Sequence, residues 1–166
     1  FLNTTPRCLR LAADLLPLVD LELVRIRLFE DKSRAHLKML ALCLANMQVE
    51  ADGLLAYCWL DRASMLQHQA TAADCHDIVN HMLSLSGVKM GLLFEEHADQ
   101  VKLSLRCRSG YRVDTLARRF GGGGHMLAAG CKLPGSLETA LPLVLAAAHQ
   151  LLAEQAPQHK QPSAEA

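Results

Sequence analysis

Apolar positions along this chain recur first with a helical period and then with a strand period, and the change falls near Glu50. Before it, Thr4-Thr5-Pro6 reads as a helix start, a threonine cap followed by proline in the first helical position. Leu9, Ala12, Ala13 and Leu16 then follow at helical spacing. A second apolar-periodic stretch covers Leu21 to Phe29. A third begins after Asp31 and runs through His36 to Met47, with Leu37, Leu40, Ala41 and Leu44 on one face. After Glu50, Leu54 to Leu60 is a short apolar run bounded by Asp52-Gly53 and Asp61, which suits a strand. Thr71 to Leu85 reads as a helix closed near Gly87. Val88 to Phe94 and Gln100 to Cys107 read as strands joined by a polar turn, Glu95 to Asp99. In the second of these, Val101, Leu103 and Leu105 alternate with Lys102, Ser104 and Arg106, the mark of a half-buried strand. The alternation puts Lys102, Ser104, Arg106 and Arg108 on one side. Val113 to Phe120 is a short helix, Ala128 to Leu133 a last strand, and Leu137 to Leu152 a final helix that starts late or bends at Pro142.

This order of elements predicts an α/β fold, with α+β as the variant. It has a mixed sheet of about four or five strands flanked by helices and preceded by a helical connector. The expected division is a connector over residues 1–49, a binding domain over 50–154 and a disordered polar tail over 155–166. The 166 residues fit one domain with an appendage, and a hydrophobic content of 51% is enough for a sizeable core. Lys plus Arg equals Asp plus Glu at 17 each, so net charge points to no partner. Its distribution is more informative. From Val101 to Gly135 the basic residues are Lys102, Arg106, Arg108, Arg112, Arg118, Arg119 and Lys132, against Asp114 alone. Arg112, Arg118 and Arg119 read as a solvated helix face. Six scattered cysteines without a C-x-x-C pair suit buried thiols in a reducing, cytoplasmic compartment and exclude a zinc ribbon. His76 and His81 are five apart and do not share a helix face, and the other histidines have no partner at ligand spacing. No metal site is therefore expected in this chain. No run reaches transmembrane length, so no membrane partner is expected.

The candidate chemistry lies at Gly121, Gly122, Gly123, Gly124 and His125. Four glycines in a row are entropically costly, and they are kept where the backbone takes positive φ or something approaches it closely. Successive N–H groups in such a loop form a nest for phosphate or carboxylate, and a histidine beside it adds a titratable donor. A flexible linker is the competing reading. The flanking Phe120, Met126, Leu127, Ala128 and Ala129 argue against it. On spacing alone the ligand stays open, because the run lacks the Lys-[Ser/Thr] of a P-loop and the spacing of a dinucleotide fingerprint.

Val101-Lys-Leu-Ser-Leu-Arg-Cys-Arg-Ser109, Val113-Asp114, Phe120 to His125 and Ala128-Ala-Gly-Cys131 together resemble the C-terminal substrate-binding domain of the DHH phosphoesterases. The similarity is to their oligoribonuclease and phosphoadenosine-phosphate phosphatase branch, related to RecJ-like nucleases. Asn3-Thr4-Thr5-Pro6 resembles the entry to the helix joining the two lobes of these enzymes. The resemblance implies a hydrolase that uses a divalent metal, commonly Mn²⁺, to activate water against a phosphoester. The Asp-His-His motif that names the family is absent from this chain. What the resemblance implies here is the substrate-holding half, with the metal-binding DHH domain expected in cis upstream of Phe1 and the isolated fragment inactive. On that basis Gly121, Gly122, Gly123, Gly124 and His125, with Arg106, Arg108 and Ser109, hold the phosphate or nucleotide, and Arg7 is a further candidate facing the cleft. The implied partners are a short oligonucleotide or nucleotide and, as an open option, a second copy of the chain. The alternatives are a stand-alone nucleic-acid-binding module without catalysis, as in the related domain of alanyl-tRNA synthetases, and an exopolyphosphatase-like phosphohydrolase.

Overall fold

The computed structural model describes residues 4–155, which form two compact units, one up to Arg34 and one from Ala35 onward. The expected tail over 155–166 lies outside the described residues except for Gln155, which ends the last helix. In the first unit, α1 (Pro6–Leu15) is capped as its sequence requires. Thr5 Oγ1 accepts from the Cys8 N–H at 3.2 Å, and Pro6 takes a first-turn position where no N–H is needed. Asp20 caps α2 (Leu21–Arg25) in the same way, accepting from Leu23 N–H at 3.0 Å. The chain then continues to Glu30 in a wider, π-type winding, with Arg25 paired to Glu22 and Glu30.

The second unit is built on six strands: β1 (Gln48–Glu50), β2 (Leu55–Leu60), β3 (Met90–Glu96), β4 (Gln100–Cys107), β5 (Gly123–His125) and β6 (Ala128–Pro134). They stand in the order β1-β2-β3-β4-β6-β5. Only the β2–β3 pair is parallel, because a helical crossover separates these two strands; every other neighbour is antiparallel. The fold class is the mixed α/β sheet that the periodicity predicts. The strand count is six rather than four or five, because the three-residue edge strands β1 and β5 are too short to show a period.

Each face of the sheet has its own core. On one, Leu55, Tyr57, Leu92, Phe94, Val101, Leu103, Leu105, Cys131 and Leu133 pack beneath α6 (Asp114–Arg119) and α7 (Leu137–Gln155). On the other, Ala56, Cys58, Leu60 and Leu93 meet Met39 and Cys43 of α3 (Arg34–Asn46), Met65 of α4 (Arg62–Gln67) and Ile78, Val79 and Met82 of α5 (Ile78–Met82). The second core holds no residue of β4, β5 or β6, so that half of the face is left open. Glu96 joins the two layers by accepting from the first-turn N–H of Arg62 at 3.3 Å and that of Leu137 at 3.1 Å.

One helix prediction fails. Thr71 to Leu85 is not a single helix: turns occupy its first half and only Ile78–Met82 is helical. Asp74 Oδ2 accepts from Thr71 N–H and Oγ1 at 2.8 and 2.7 Å, and Asp77 sits at φ +66, a left-handed conformation no helix interior accepts. Short polar side chains that bond the local backbone compete with the helix in this way. The sequence reading did not foresee α4, β1 or β5.

All six cysteines are thiols, and only Cys8 is exposed. Burial pushes the Cys75 thiol up to about 12 and the Cys131 thiol up to about 11, whereas the Thr5 hydroxyl draws Cys8 below its usual value. The thiolate is the reactive form. Iodoacetamide at pH 7.5 is therefore expected to modify Cys8 alone in the folded chain and all six cysteines in denaturant, read by intact-mass spectrometry. Native labelling at Cys75 or Cys131 would contradict the packing.

Candidate phosphate-binding face

The open face is laid out by strand register. Residues two apart on a strand share a face, and directly paired residues on neighbouring strands lie about 5 Å apart. Three ranks therefore run across it. The first is Gly91–Arg106–Ala128–His125, the second Leu93–Ser104–Gly130–Gly123, and the third Glu95–Lys102–Lys132. Two basic ranks thus flank a rank with two glycines, over about 14 Å along the strands. A cavity of about 380 Å³ opens here, lined by Lys102, Ser104, Gly121, Gly122, Gly130 and Lys132.

The glycine run has three roles. Gly121 is the left-handed residue that ends α6, at φ +73. Its N–H bonds the Arg118 carbonyl at 3.2 Å while Gly122 N–H bonds the Ala117 carbonyl at 2.9 Å, the paired closure of a Schellman cap. Those two N–H groups are consequently spent on the helix, which corrects the expectation of a four-residue anion nest. Gly122 is also where the chain passes against β6: a Cβ there would lie 2.2 Å from the Gly130 carbonyl oxygen and 2.4 Å from Cys131 Cβ. Gly123 has open space around its Cβ position and faces Gly130 in the middle rank. His125 is exposed on the same side, at the head of a two-residue hairpin turn.

Of the other sequence candidates, Arg106 lies within this face. Its Nε donates to Asn80 Oδ1 at 3.1 Å and its Nη1 to the Leu105 carbonyl at 2.9 Å, leaving Nη2 directed by two anchors. Arg108 is committed elsewhere, donating to the Val88 carbonyl at 3.0 Å and the Leu83 carbonyl at 2.6 Å, where it ties down the loop after α5. Ser109 falls in the exposed turn before Gly110, away from the three ranks. Arg7 belongs to the first unit, described separately. Arg112 and Arg118 are not a simple solvated face, since both pair with the buried Asp114 at 2.9 and 3.0 Å, and Arg119 reaches Glu154 at 3.4 Å. The Arg112 hydrogen bond holds the Asp114 carboxyl below the usual carboxylate range, with the Arg112 and Arg118 charges adding to it. The sequence reading named Lys132 only within the basic stretch and Gly130 only within the resemblance, and did not single out Asn80. Alternation within β6 puts Gly130 and Lys132 on one side, but only the β4–β6 register shows that it is the side of Arg106. Among the described residues, no group of three or more His, Cys, Asp or Glu is arranged to hold a metal ion. No helix among the described residues is long and apolar enough to cross a membrane.

The sequence pattern of the DHHA1 domain matches residues 53–154. The chain belongs to the DHHA1 domain family. It is 30% identical over 154 residues to the bifunctional oligoribonuclease and PAP phosphatase NrnA of Thermus thermophilus, covering 92% of this chain and 46% of that one. Identity to NrnA of Bacillus subtilis is 28% over 135 residues, covering 80% and 42%. The chain therefore spans less than half the length of these curated relatives. Among solved structures, an exopolyphosphatase-related protein from Bacteroides fragilis superposes with a TM-score of 0.84 at 24% identity, over 91% of this chain and 45% of that one. At that identity the likeness is one of fold.

Two outcomes test this geometry. Gly122→Ala is expected to cost about 1–3 kcal/mol in a denaturant titration because it overpacks against backbone, while Gly123→Ala costs less than about 1 kcal/mol. Equal losses would refute the assignment of close packing to Gly122. Asp114 has a lowered folded-state pKa, so its stabilisation is complete above the unfolded value of about 3.9 and is lost as pH falls through the folded value. Asp114→Asn should therefore lower stability at pH 7 and flatten the loss of stability below pH 4, measured by denaturant midpoints across pH.

Proposed function

We propose that this chain is the substrate-holding half of a metal-dependent phosphoesterase acting on short oligonucleotides or nucleoside bisphosphates. In this reading residues 1–49 are the connector and 50–154 the binding domain. The observation that carries it is the rank Arg106–Ala128–His125 beside the glycines Gly123 and Gly130, on the half of the sheet whose strands add no residue to the second core. Missing side chains at Gly123 and Gly130 let a phosphate come against the backbone. Arg106 supplies a guanidinium aimed by Asn80, and His125 a ring nitrogen from the opposite side, both suited to phosphate oxygens. Lys102 and Lys132 supply charge at the far end, so the face can span more than one phosphate, as a dinucleotide or a nucleoside bisphosphate requires. The names of the NrnA relatives, oligoribonuclease and PAP phosphatase, fit substrates of this kind.

The chemistry of water activation belongs, in this reading, to a divalent metal such as Mn²⁺ in a DHH domain in cis. The residues described here do not form a site for it, and no step in this chain is routed through one. What this chain does is position: it fixes a phosphate ester so that its scissile bond faces a second lobe. Holding reactants in a productive pose contributes several kcal/mol to lowering a barrier.

Isothermal titration of adenosine 3′,5′-bisphosphate and of 5′-phosphorylated diadenylate into this chain, at one fixed salt concentration, tests the reading. The chain is expected to bind both without hydrolysing them when Mn²⁺ is added. Arg106→Ala and His125→Ala should each weaken binding about tenfold or more, as loss of a charged hydrogen bond to phosphate does. Undiminished binding by both variants would end it.

A further inference from the structure

Beneath Lys102, and outside the cavity lining, lies a buried charged group that phosphate binding as proposed does not use. Glu95 sits in β3 with its side chain 1% exposed, and its Oε1 accepts from Lys102 Nζ at 2.9 Å. Its Oε2 has no hydrogen-bond partner among the described residues. The neighbouring position on β2, Leu60, and the alternate position on the same strand, Leu93, are fully apolar and buried. The buried Cys75 thiol also lies against this carboxylate, but Lys102 is its one ionic partner, and an apolar side chain would suit this place in the sheet at least as well, because desolvating the carboxylate offsets what the ion pair gains. Stability therefore does not explain Glu95.

Its effect on Lys102 does. Lys102 pairs directly with Lys132 across β4 and β6, and like charges in that relation repel. Glu95, on the other neighbouring strand, draws the Lys102 ammonium inward and fixes it, while Lys132 stays in solvent. Lys102 is 34% exposed, lines the cavity and keeps donors beyond the one used on Glu95. A lysine held by a glutamate against a phosphate is the arrangement protein kinases require.

We propose that Glu95 is a positioning residue that holds the Lys102 ammonium in the cavity wall to meet a phosphate oxygen of the bound nucleotide. The proposal rests on the phosphate-binding reading of this face. Lys102 contributes the contact, and Glu95 removes the side-chain freedom that contact would otherwise cost.

The test is titration of adenosine 3′,5′-bisphosphate into this chain and into Glu95→Gln, Glu95→Asp, Lys102→Met and the Glu95→Gln/Lys102→Met double variant, each checked for folding by circular dichroism. Glu95→Gln and Lys102→Met should each weaken binding about tenfold, and the double variant, which buries no unpaired charge, should bind no worse than the weaker single variant. Glu95→Asp, which keeps the charge, should stay within about threefold of the unaltered chain. A folded Glu95→Gln that binds as tightly as or more tightly than the unaltered chain would overturn the proposal. So would losses that add in the double variant. If Arg106→Ala and His125→Ala weaken binding while Glu95→Gln does not, only the role of Glu95 fails. If none of them does, the phosphate-binding reading itself fails.

Discussion

The register of β4 is the constraint on which both the core and the open face depend. This strand pairs with β3 over seven residues on one side and with β6 over seven on the other. Val101, Leu103, Leu105 and Cys107 enter the core beneath α6 and α7, and Lys102, Ser104 and Arg106 stand on the opposite side. A slip of one residue would bury two or three charged side chains and expose four apolar ones. The same pairing that builds the core therefore fixes which basic residues share a surface. It also sets their spacing, because ranks two residues apart along a strand recur at a fixed rise. Position and chemistry are here consequences of one hydrogen-bonded ladder.

Charge on that surface is less than the local sequence suggests. Arg112 and Arg118 are bound to Asp114, Arg119 to Glu154, and Arg108 to two backbone carbonyls. Arg106 gives two of its guanidinium nitrogens to Asn80 and the Leu105 carbonyl, and Lys102 and Lys132 line the cavity. The glycine run works in the same divided way. Gly121 and Gly122 terminate α6 and pass against β6, while Gly123 leaves open space on the face beside Gly130. A loop that must close a helix, cross a neighbouring backbone and leave a surface bare leaves little room for any residue but glycine.

Much of the fold was legible because its signals are local. Strand β4 runs from Gln100 to Cys107 as its alternation says, and α1 begins at Pro6 behind a Thr5 cap as its punctuation says. The failures share a cause. Between Thr71 and Asp77 the apolar spacing suggested helix, but Asp74 and Asp77 give the backbone competing local bonds and a left-handed turn. Strands β1 and β5 carry three residues each and owe their form to the partner strand rather than to their own pattern. Candidate residues divided similarly: Arg106 and His125 carried a motif, whereas only packing put Asn80 beside Arg106 and only pairing put Lys132 opposite Lys102.

By itself the sequence determined the mixed fold, the alternating basic strand and the glycine-histidine motif. Each of these is written in the order and type of neighbouring residues, which local sterics, capping and period-two burial translate directly. The tertiary structure decided which charges are free and which donors are spent. The Gly121 and Gly122 N–H groups, the guanidinium of Arg108 and the pairing of Lys102 with Glu95 are settled by groups three to twenty-five residues distant in sequence. Electrostatics and hydrogen bonding act through space, so the list of basic residues could be read from the chain but their availability to a phosphate could not.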